Sequence, residues 1–518
     1  MRKALLGVAA IPLTLGLMVP TSASAIDDVN TRKLRQAVTV NGILQHERAF
    51  QRIANQNGGT RASGTPGYDA SVDYVAQRLR RAGYKVTIQE FTFPFFRNTA
   101  PGTLAQVTPT ATTYETGTFD YSASGDVTGV VVPIDVEFPP TAPAGETTSG
   151  CDPAAFDPAP AEPAVALIQR GGCNFAVKAA NAAEAGYEAA IIFNEGQEGR
   201  TDLFIGTLGT PQEIPVVGLS YADAQALFTQ TQAGPVTVRV TTATETDPNR
   251  TTYNVLADTP KGKNSDQTVV VGAHLDSVIE GPGINDNGSG TSTILEIAEE
   301  MSELGYTKKN KLQRQVRFAF WGAEENGLLG SEYYVENLTA NQLSKIYANL
   351  NFDMLGSPNY VRFVYDGDGS DSDPAGPPGS GQIESIFTEY FESQGLESEP
   401  TEFSGRSDYG PFIAVGIPAG GLFSGAEGIK TPEQAAIYGG TAGEPYDPCY
   451  HEACDDITNL SVRALNQMSD GVAHATFTYA EDREVLVGPS STRTSPSSAS
   501  DVSASGVYEE FKGHHALR

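Results

Sequence analysis

The apolar positions along this chain change period several times. Over 31–55, and again over 69–83, they recur every three or four places, which predicts two amphipathic helices, the second ending at Gly83. Val86 to Phe93 (VTIQEFTF) alternates apolar and polar residues and predicts a strand. From about 100 to 250 Pro, Ala, Thr and Gly dominate, with short β-rich runs such as 129–136, as in a separate module inserted into the first domain. After 250, strand-like and helical stretches alternate. The β-branched run 268–273 ends at His274, and 292–304 carries a helical stripe of Ile294, Leu295, Ile297, Ala298 and Met301. Further strands are expected over 316–321, 348–354, 361–365 and 416–423, with helices over 330–335, 383–391 and 461–479. This alternation predicts an α/β fold with a mainly parallel, mixed central sheet flanked by helices. Sites in such a sheet form at the carboxyl ends of strands, where His274, Glu324–Glu325 and Asp353 all fall.

The two ends of the chain read differently from its middle. Arg2 and Lys3 precede an apolar run from Leu5 to Val19, too short to span a membrane comfortably, and then the small residues Ser22, Ala23, Ser24 and Ala25. Residues 1–25 therefore predict a cleaved export signal. The stretch 483–518 is rich in Ser and Thr and predicts a disordered or removable tail, His514 and His515 included. Between these ends the expected plan is 26–100 and 251–482 as two parts of one α/β domain, with 101–250 as a β-rich insert. No later run approaches the length of a membrane helix, so a secreted monomer without membrane attachment is expected.

Charge and cysteines narrow the picture further. The chain has 34 Lys and Arg against 63 Asp and Glu, a formal charge of −29. Such a surface repels nucleic acid and anionic lipid and otherwise serves solubility. Cys151, Cys173, Cys449 and Cys454 allow three disulfide pairings, of which the local one, Cys151 with Cys173 and Cys449 with Cys454, is the simplest. A cysteine-ligated zinc is the rival reading of the same four residues.

Within 164–196 the pattern is a strand, a glycine turn, an alanine-rich helix and a second strand. The turn Arg170, Gly171, Gly172, Cys173, Asn174, Phe175 and the helix end Ala185, Gly186, Tyr187 resemble the protease-associated (PA) domain, a lid-like module inserted in several peptidase families.

The segment AHLDSVIEGPGINDNGSG carries the candidate chemistry. It sets an imidazole, His274, and a carboxylate, Asp286, at the two ends of a glycine-rich loop. Asp276 lies two residues beyond His274, on the same side of an extended chain, where it can orient the imidazole. Glu324, Glu325, Asp353 and His451 follow. Taken singly, each has an ordinary explanation as a structural histidine, a turn aspartate or a solvated helix start. Together, at the ends of successive segments of one sheet, they make the nitrogen and carboxylate set that zinc prefers.

The strings AHLDS, GPGINDNGSG, FWGAEENGLLGS, NFDMLGSPN, FSGRSDYGPF, AGGLFSGAEG and YDPCYHEACD resemble the M28 family of zinc aminopeptidases. The resemblance implies a secreted aminopeptidase with two Zn2+ ions, Asp286 bridging them, His274 and Asp353 completing one site, and Glu325 and His451 the other. It implies Glu324 as general base, Tyr450 as an oxyanion donor braced by a Cys449–Cys454 disulfide, and Arg406 and Phe423 as substrate contacts. Substrates would be peptide or protein N-termini, with a preference for large apolar residues such as leucine. Some members of the group also hold calcium, for which Asp27, Asp28 and Asp470 are candidate contributors, although Asn466 stands where an acid is expected. Three rivals share the scaffold: a glutaminyl cyclase-like acyltransferase with one zinc, a non-catalytic binding protein of the transferrin receptor type, and a carboxypeptidase relative.

Overall fold

Every residue of Thr268–His274 is buried, so the strand is a continuous apolar run rather than an alternating one. It lies inside a mixed sheet of thirteen strands seen in the computed structural model, which describes residues 29–156, 163–263, 266–372 and 374–482. In chain order the strands are β1 (Lys85–Thr108), β2 (Thr112–Tyr114), β3 (Gly125–Ile134), β4 (Ala164–Gln169), β5 (Ala189–Phe193), β6 (Val216–Leu219), β7 (Thr237–Asp258), β8 (Thr268–His274), β9 (Gln315–Trp321), β10 (Ile346–Phe352), β11 (Phe363–Tyr365), β12 (Glu399–Thr401) and β13 (Ala419–Phe423). Across the sheet they run β12-β11-β13-β10-β8-β9-β7-β3-β4-β5-β6, with β1 paired to β7. The neighbours β13, β10, β8 and β9 are all parallel. Their carboxyl ends therefore open on one edge, where His274 closes β8, Asp353 follows β10 and Glu324 lies three residues after β9.

The helices cover this sheet as their stripes require. Ile294, Leu295, Ile297, Ala298 and Met301 of helix Gly290–Glu303 are buried against Val269, Val271, Phe318 and Leu350. Each such side chain contributes about 1.5–3 kcal/mol relative to exposure. Leu465, Met468 and Val472 of the last helix, Val462–Glu481, join the same core.

Three boundaries differ from the sequence pattern, each for a local reason. The stretch 31–55 is two helices, Arg32–Ala37 and Val40–Gln56, because Thr39 turns extended and its hydroxyl accepts the Gly42 N–H at 3.1 Å as an N-cap. The next helix, Pro66–Arg81, starts earlier than its apolar period suggests, since Thr65 caps it and Pro66 suits the first turn. The strand expected over 86–93 is the start of the much longer β1. Pro94 and Pro101 break its alternation, and the ladder absorbs them with register shifts at Phe93/Phe95, Asn98/Ala100 and Ala100/Thr103.

The paired β1 and β7 form a long antiparallel ribbon. At one end β7 lies beside β9, and at the other beside β3. The insert is thus joined to the main domain through a shared sheet. Beyond the ribbon, β3, β4, β5 and β6 are parallel, with apolar side chains packed on both faces around Ile168, Ile192, Leu167 and Ile191. Cys151 is bonded to Cys173 and Cys449 to Cys454, the local pairing. Residues 1–28, with the expected export signal, and 483–518, the expected tail, lie outside the described residues. Among the described residues no helix is long and apolar enough to cross a membrane.

Candidate metal centre and active site

The loop from His274 to Asp286 returns on itself so that its two ends meet. Gly283 makes the return possible: its φ is +57°, and a Cβ there would lie 2.3 Å from the Asp286 carbonyl oxygen. Asp286 Oδ1 comes to 3.2 Å from His274 Nε2, while its Oδ2 lies 3.1 Å from His451 Nε2. One carboxylate therefore faces two imidazoles through its two oxygens. Asp353 Oδ1 is 3.3 Å from His274 Nε2, and Glu325 Oε2 is 3.2 Å from His451 Nε2. Two three-donor groups, His274–Asp286–Asp353 and Asp286–Glu325–His451, are joined at Asp286, and His274 also gathers with Glu324 and Glu325.

These separations fit zinc. Ligand atoms about 2.0–2.1 Å from a tetrahedral ion lie about 3.3 Å from each other, and the donors are all imidazole nitrogen or carboxylate oxygen. The charge balance fits as well, because the buried acids Asp276, Asp286, Glu324 and Asp408 gather around the buried His274, with the buried Arg61 facing Asp276 and Asp286. Burial alone would raise Asp286, but hydrogen bonds from His274 and His451 pull its carboxyl below the usual range. Burial would depress His274, but Asp353, Glu324 and the other acids around it outweigh that and hold the imidazole well above its ordinary value.

Glu324 sits beside this assembly. Its Oε2 is 3.9 Å from His274 Nε2, farther than the two acids of that group, and burial with Asp408, Glu325 and Asp353 nearby holds its carboxyl well above the usual range. Asp276 serves both residues. Its main-chain carbonyl lies 3.2 Å from His274 Nδ1 and its carboxylate Oδ1 3.6 Å from the same nitrogen, and that Oδ1 also accepts the Glu324 N–H at 3.3 Å.

A cavity of about 250 Å³ opens over the centre. Met354, Phe363, Tyr365 and Phe423 give it apolar walls, and Phe423 stacks on Phe363 with ring centres 6.0 Å apart. Arg406 is at its rim, half exposed and paired with Glu427 at 2.9 Å. Tyr450 also lines the cavity and stacks on His451 at 3.7 Å. For calcium the placement is different: Asp27 and Asp28 lie outside the described residues, and among the described residues Asp470 joins no group of three metal-capable side chains.

Comparison with known proteins agrees with this geometry. Residues 254–476 match the model of peptidase family M28, and residues 127–227 match the PA domain. An aminopeptidase of Pseudomonas aeruginosa is 48% identical over 454 residues, covering 86% of this chain and 81% of that protein. The chain belongs to peptidase family M28. It is a metallo-aminopeptidase, a hydrolase, with a PA domain set into its sheet. This M28 enzyme is also 42% identical, over 82% of its length and 80% of the other's, to a probable leucine aminopeptidase 2 of Aspergillus oryzae. Among solved structures, BSAP, a zinc aminopeptidase from Bacillus subtilis, superposes with a TM-score of 0.61 at 25% identity, covering 88% of this chain and 97% of that one.

Several residues that hold the M28 site together left little trace in the sequence. Asn287 accepts the Met354 N–H at 3.2 Å and donates to the Phe352 carbonyl at 2.9 Å, tying the loop to the strand end that bears Asp353. Asn285 reaches the other way, donating to Asp447 at 2.6 Å. Asp455 accepts the N–H groups of Asn285 and Asp286 at 2.8 and 2.9 Å, and burial raises its carboxyl to about 7. The short disulfide loop thus supplies His451 to the centre, and Asp455, the residue directly after it, binds the backbone of Asp286. Ser407 donates to Asp353 Oδ2 at 2.6 Å. Arg61, wholly buried, donates to the carbonyls of Leu275, Pro282 and Gly283 at 2.5, 2.8 and 2.5 Å. Tandem Asn residues around Asp286 and an acid after Cys454 were visible signals. Arg61 offered none, since its partners lie more than two hundred positions away.

Proposed function

We propose that this aminopeptidase is a secreted dizinc enzyme that removes large apolar residues, such as leucine, from peptide N-termini. The observation that carries this reading is the pair of donor groups meeting at Asp286, with Glu324 beside them. His274 and Asp353 would hold one ion, Glu325 and His451 the other, and Asp286 both. When bound, zinc supplies Lewis acidity that polarises the scissile carbonyl and acidifies the attacking water. Glu324 accepts that water's proton and returns it to the leaving amine. The Tyr450 hydroxyl donates to the oxyanion, and Asp276 keeps the His274 ring and the Glu324 backbone in register. Glu324 and Asp353 attract the substrate's α-ammonium. Phe363, Tyr365 and Phe423 receive its side chain, in keeping with the leucine aminopeptidase name of the Aspergillus relative. The two disulfides and the features of 1–25 support export.

The test is Glu324→Gln, with zinc measured by atomic emission and kcat on leucine p-nitroanilide. Two zinc ions per chain in both proteins, with kcat lowered about a thousandfold in the variant, is the expected outcome. A variant within tenfold of wild type removes the general-base role. One ion per chain, with pyroglutamate made from an N-terminal glutamine peptide, favours a cyclase instead.

A further inference from the structure

Away from the catalytic centre, three metal-capable side chains gather between helix Val40–Gln56 and helix Gly290–Glu303: His46, Glu296 and Glu299. His46 is 1% exposed. Its Nδ1 lies 2.8 Å from the Tyr74 hydroxyl, which holds the ring in place. Its Nε2 is buried and makes no hydrogen bond. That nitrogen faces two carboxylates, 3.5 Å from Glu296 Oε2 and 3.8 Å from Glu299 Oε2. Donors about 2.0–2.2 Å from a shared tetrahedral ion lie about 3.3–3.6 Å from each other, so the three atoms stand close to ligand spacing. An imidazole whose Nδ1–H donates to the tyrosine hydroxyl turns its Nε2 lone pair towards the carboxylates, as a ligating histidine does.

The surroundings make room for this cluster and add negative charge to it. Gly42 lies against Glu296, and a Cβ on it would come 1.8 Å from Glu296 Oε1. Arg78 donates to both oxygens of Glu299 and balances that carboxylate, whose remaining lone pairs can still bind a metal. Glu300 and Glu303 follow on the same helix. Burial, with repulsion from Glu296, Glu303 and Glu299, raises the Glu300 carboxyl. The side chains of Glu296 and Glu299 are 9% and 17% exposed, which leaves an ion a way in from solvent. We propose that His46, Glu296 and Glu299 form a separate site for one divalent transition-metal ion, zinc by its donor set, with water completing the tetrahedron. The ion would join two helices that frame the metal loop. Helix Gly290–Glu303 begins where that loop ends, and Glu47 of helix Val40–Gln56 lies against Gly288 of the loop. Its role is to brace the loop from behind, without contact with substrate.

The experiment counts ions. The full enzyme and the variants His46→Gln and Glu296→Gln are stripped with chelator, re-equilibrated with zinc, desalted and analysed by atomic emission. The wild type should hold one ion per chain more than either variant, with kcat on leucine p-nitroanilide changed by no more than about twofold. Ions at the catalytic centre are common to all three proteins, so the difference is the same whether that centre takes one or two. Anomalous scattering at the zinc edge from wild-type crystals should also show a peak about 2.0–2.1 Å from His46 Nε2, a readout that needs no variant to fold. Equal zinc in the wild type and both variants overturns the proposal and leaves His46 as an ionic partner of Glu296. Absence of the peak overturns it too. So does a zinc loss in the variants that takes kcat with it, since the missing ion then belongs to the catalytic centre.

Discussion

Arg61→Met removes a buried cation that spans the metal loop. Its guanidinium donates to the carbonyl next to His274 and to two carbonyls shortly before Asp286, so it fastens the loop where it leaves the sheet and where it returns. Methionine fills much of the same space but takes the guanidinium donor from the buried Leu275 and Pro282 carbonyls, at about 1 kcal/mol or more each, while Gly283 keeps the Gly288 N–H. It also strips the buried Glu47 carboxyl of its favourable charge partner, and the recovered desolvation of the guanidinium offsets part of the loss. The net destabilisation is about 2–3 kcal/mol, which lowers the apparent Tm by roughly 3 °C in a protein of this size. Differential scanning calorimetry, with zinc retention against a graded chelator in parallel, reads both consequences. Arg61→Lys, which keeps the charge but not the planar fork, should lie between the two. A shift below about 1 °C for methionine would refute the clamp. A large shift with unchanged zinc retention would show that Arg61 stabilises the fold without holding the loop.

Other perturbations probe separate parts of the structure. Tyr450→Phe should lower kcat about a hundredfold with little change in KM, as loss of one oxyanion donor does; steady-state kinetics on leucine p-nitroanilide read the split. Replacing Cys449 and Cys454 together by serine opens a loop with a sequence separation of 5. It should cost about 2 kcal/mol in denaturant unfolding and release zinc at lower chelator concentration, because His451 lies in that loop and Asp455 directly follows it. His474 is buried against Tyr390, bonded to Thr31 at 2.9 Å, and pushed down to about 4 by burial and by Arg35. A histidine with a lowered folded-state pKa contributes stability that is present above about 6.5 and lost as pH falls through about 4. The wild type should therefore lose up to about 3 kcal/mol over that window, and His474→Gln should flatten this part of the stability–pH curve.

Where contacts are local, the chain was legible. The helix Gly290–Glu303 carries its stripe on the surface of its own sequence, and β8 announces itself as an unbroken buried run. Glu324, Glu325 and Asp353 could be placed at strand ends because the alternation of strands and helices implies which ends are carboxyl ends. The ribbon was hidden. Its pairing joins residues up to about 170 positions apart, and its prolines disrupt the very alternation that marks a strand.

What the sequence determined by itself is the inventory: the periods of the elements, the glycine that lets a loop return, and the imidazoles and carboxylates suited to a metal. The tertiary structure decided the rest. It set the two oxygens of Asp286 toward different histidines, brought Arg61 under the loop and Asp455 behind it, and laid the insert against the edge of the site. The physical reason is that such contacts depend on distances across the sheet. No period or motif encodes those distances, because they exist only once remote segments have packed.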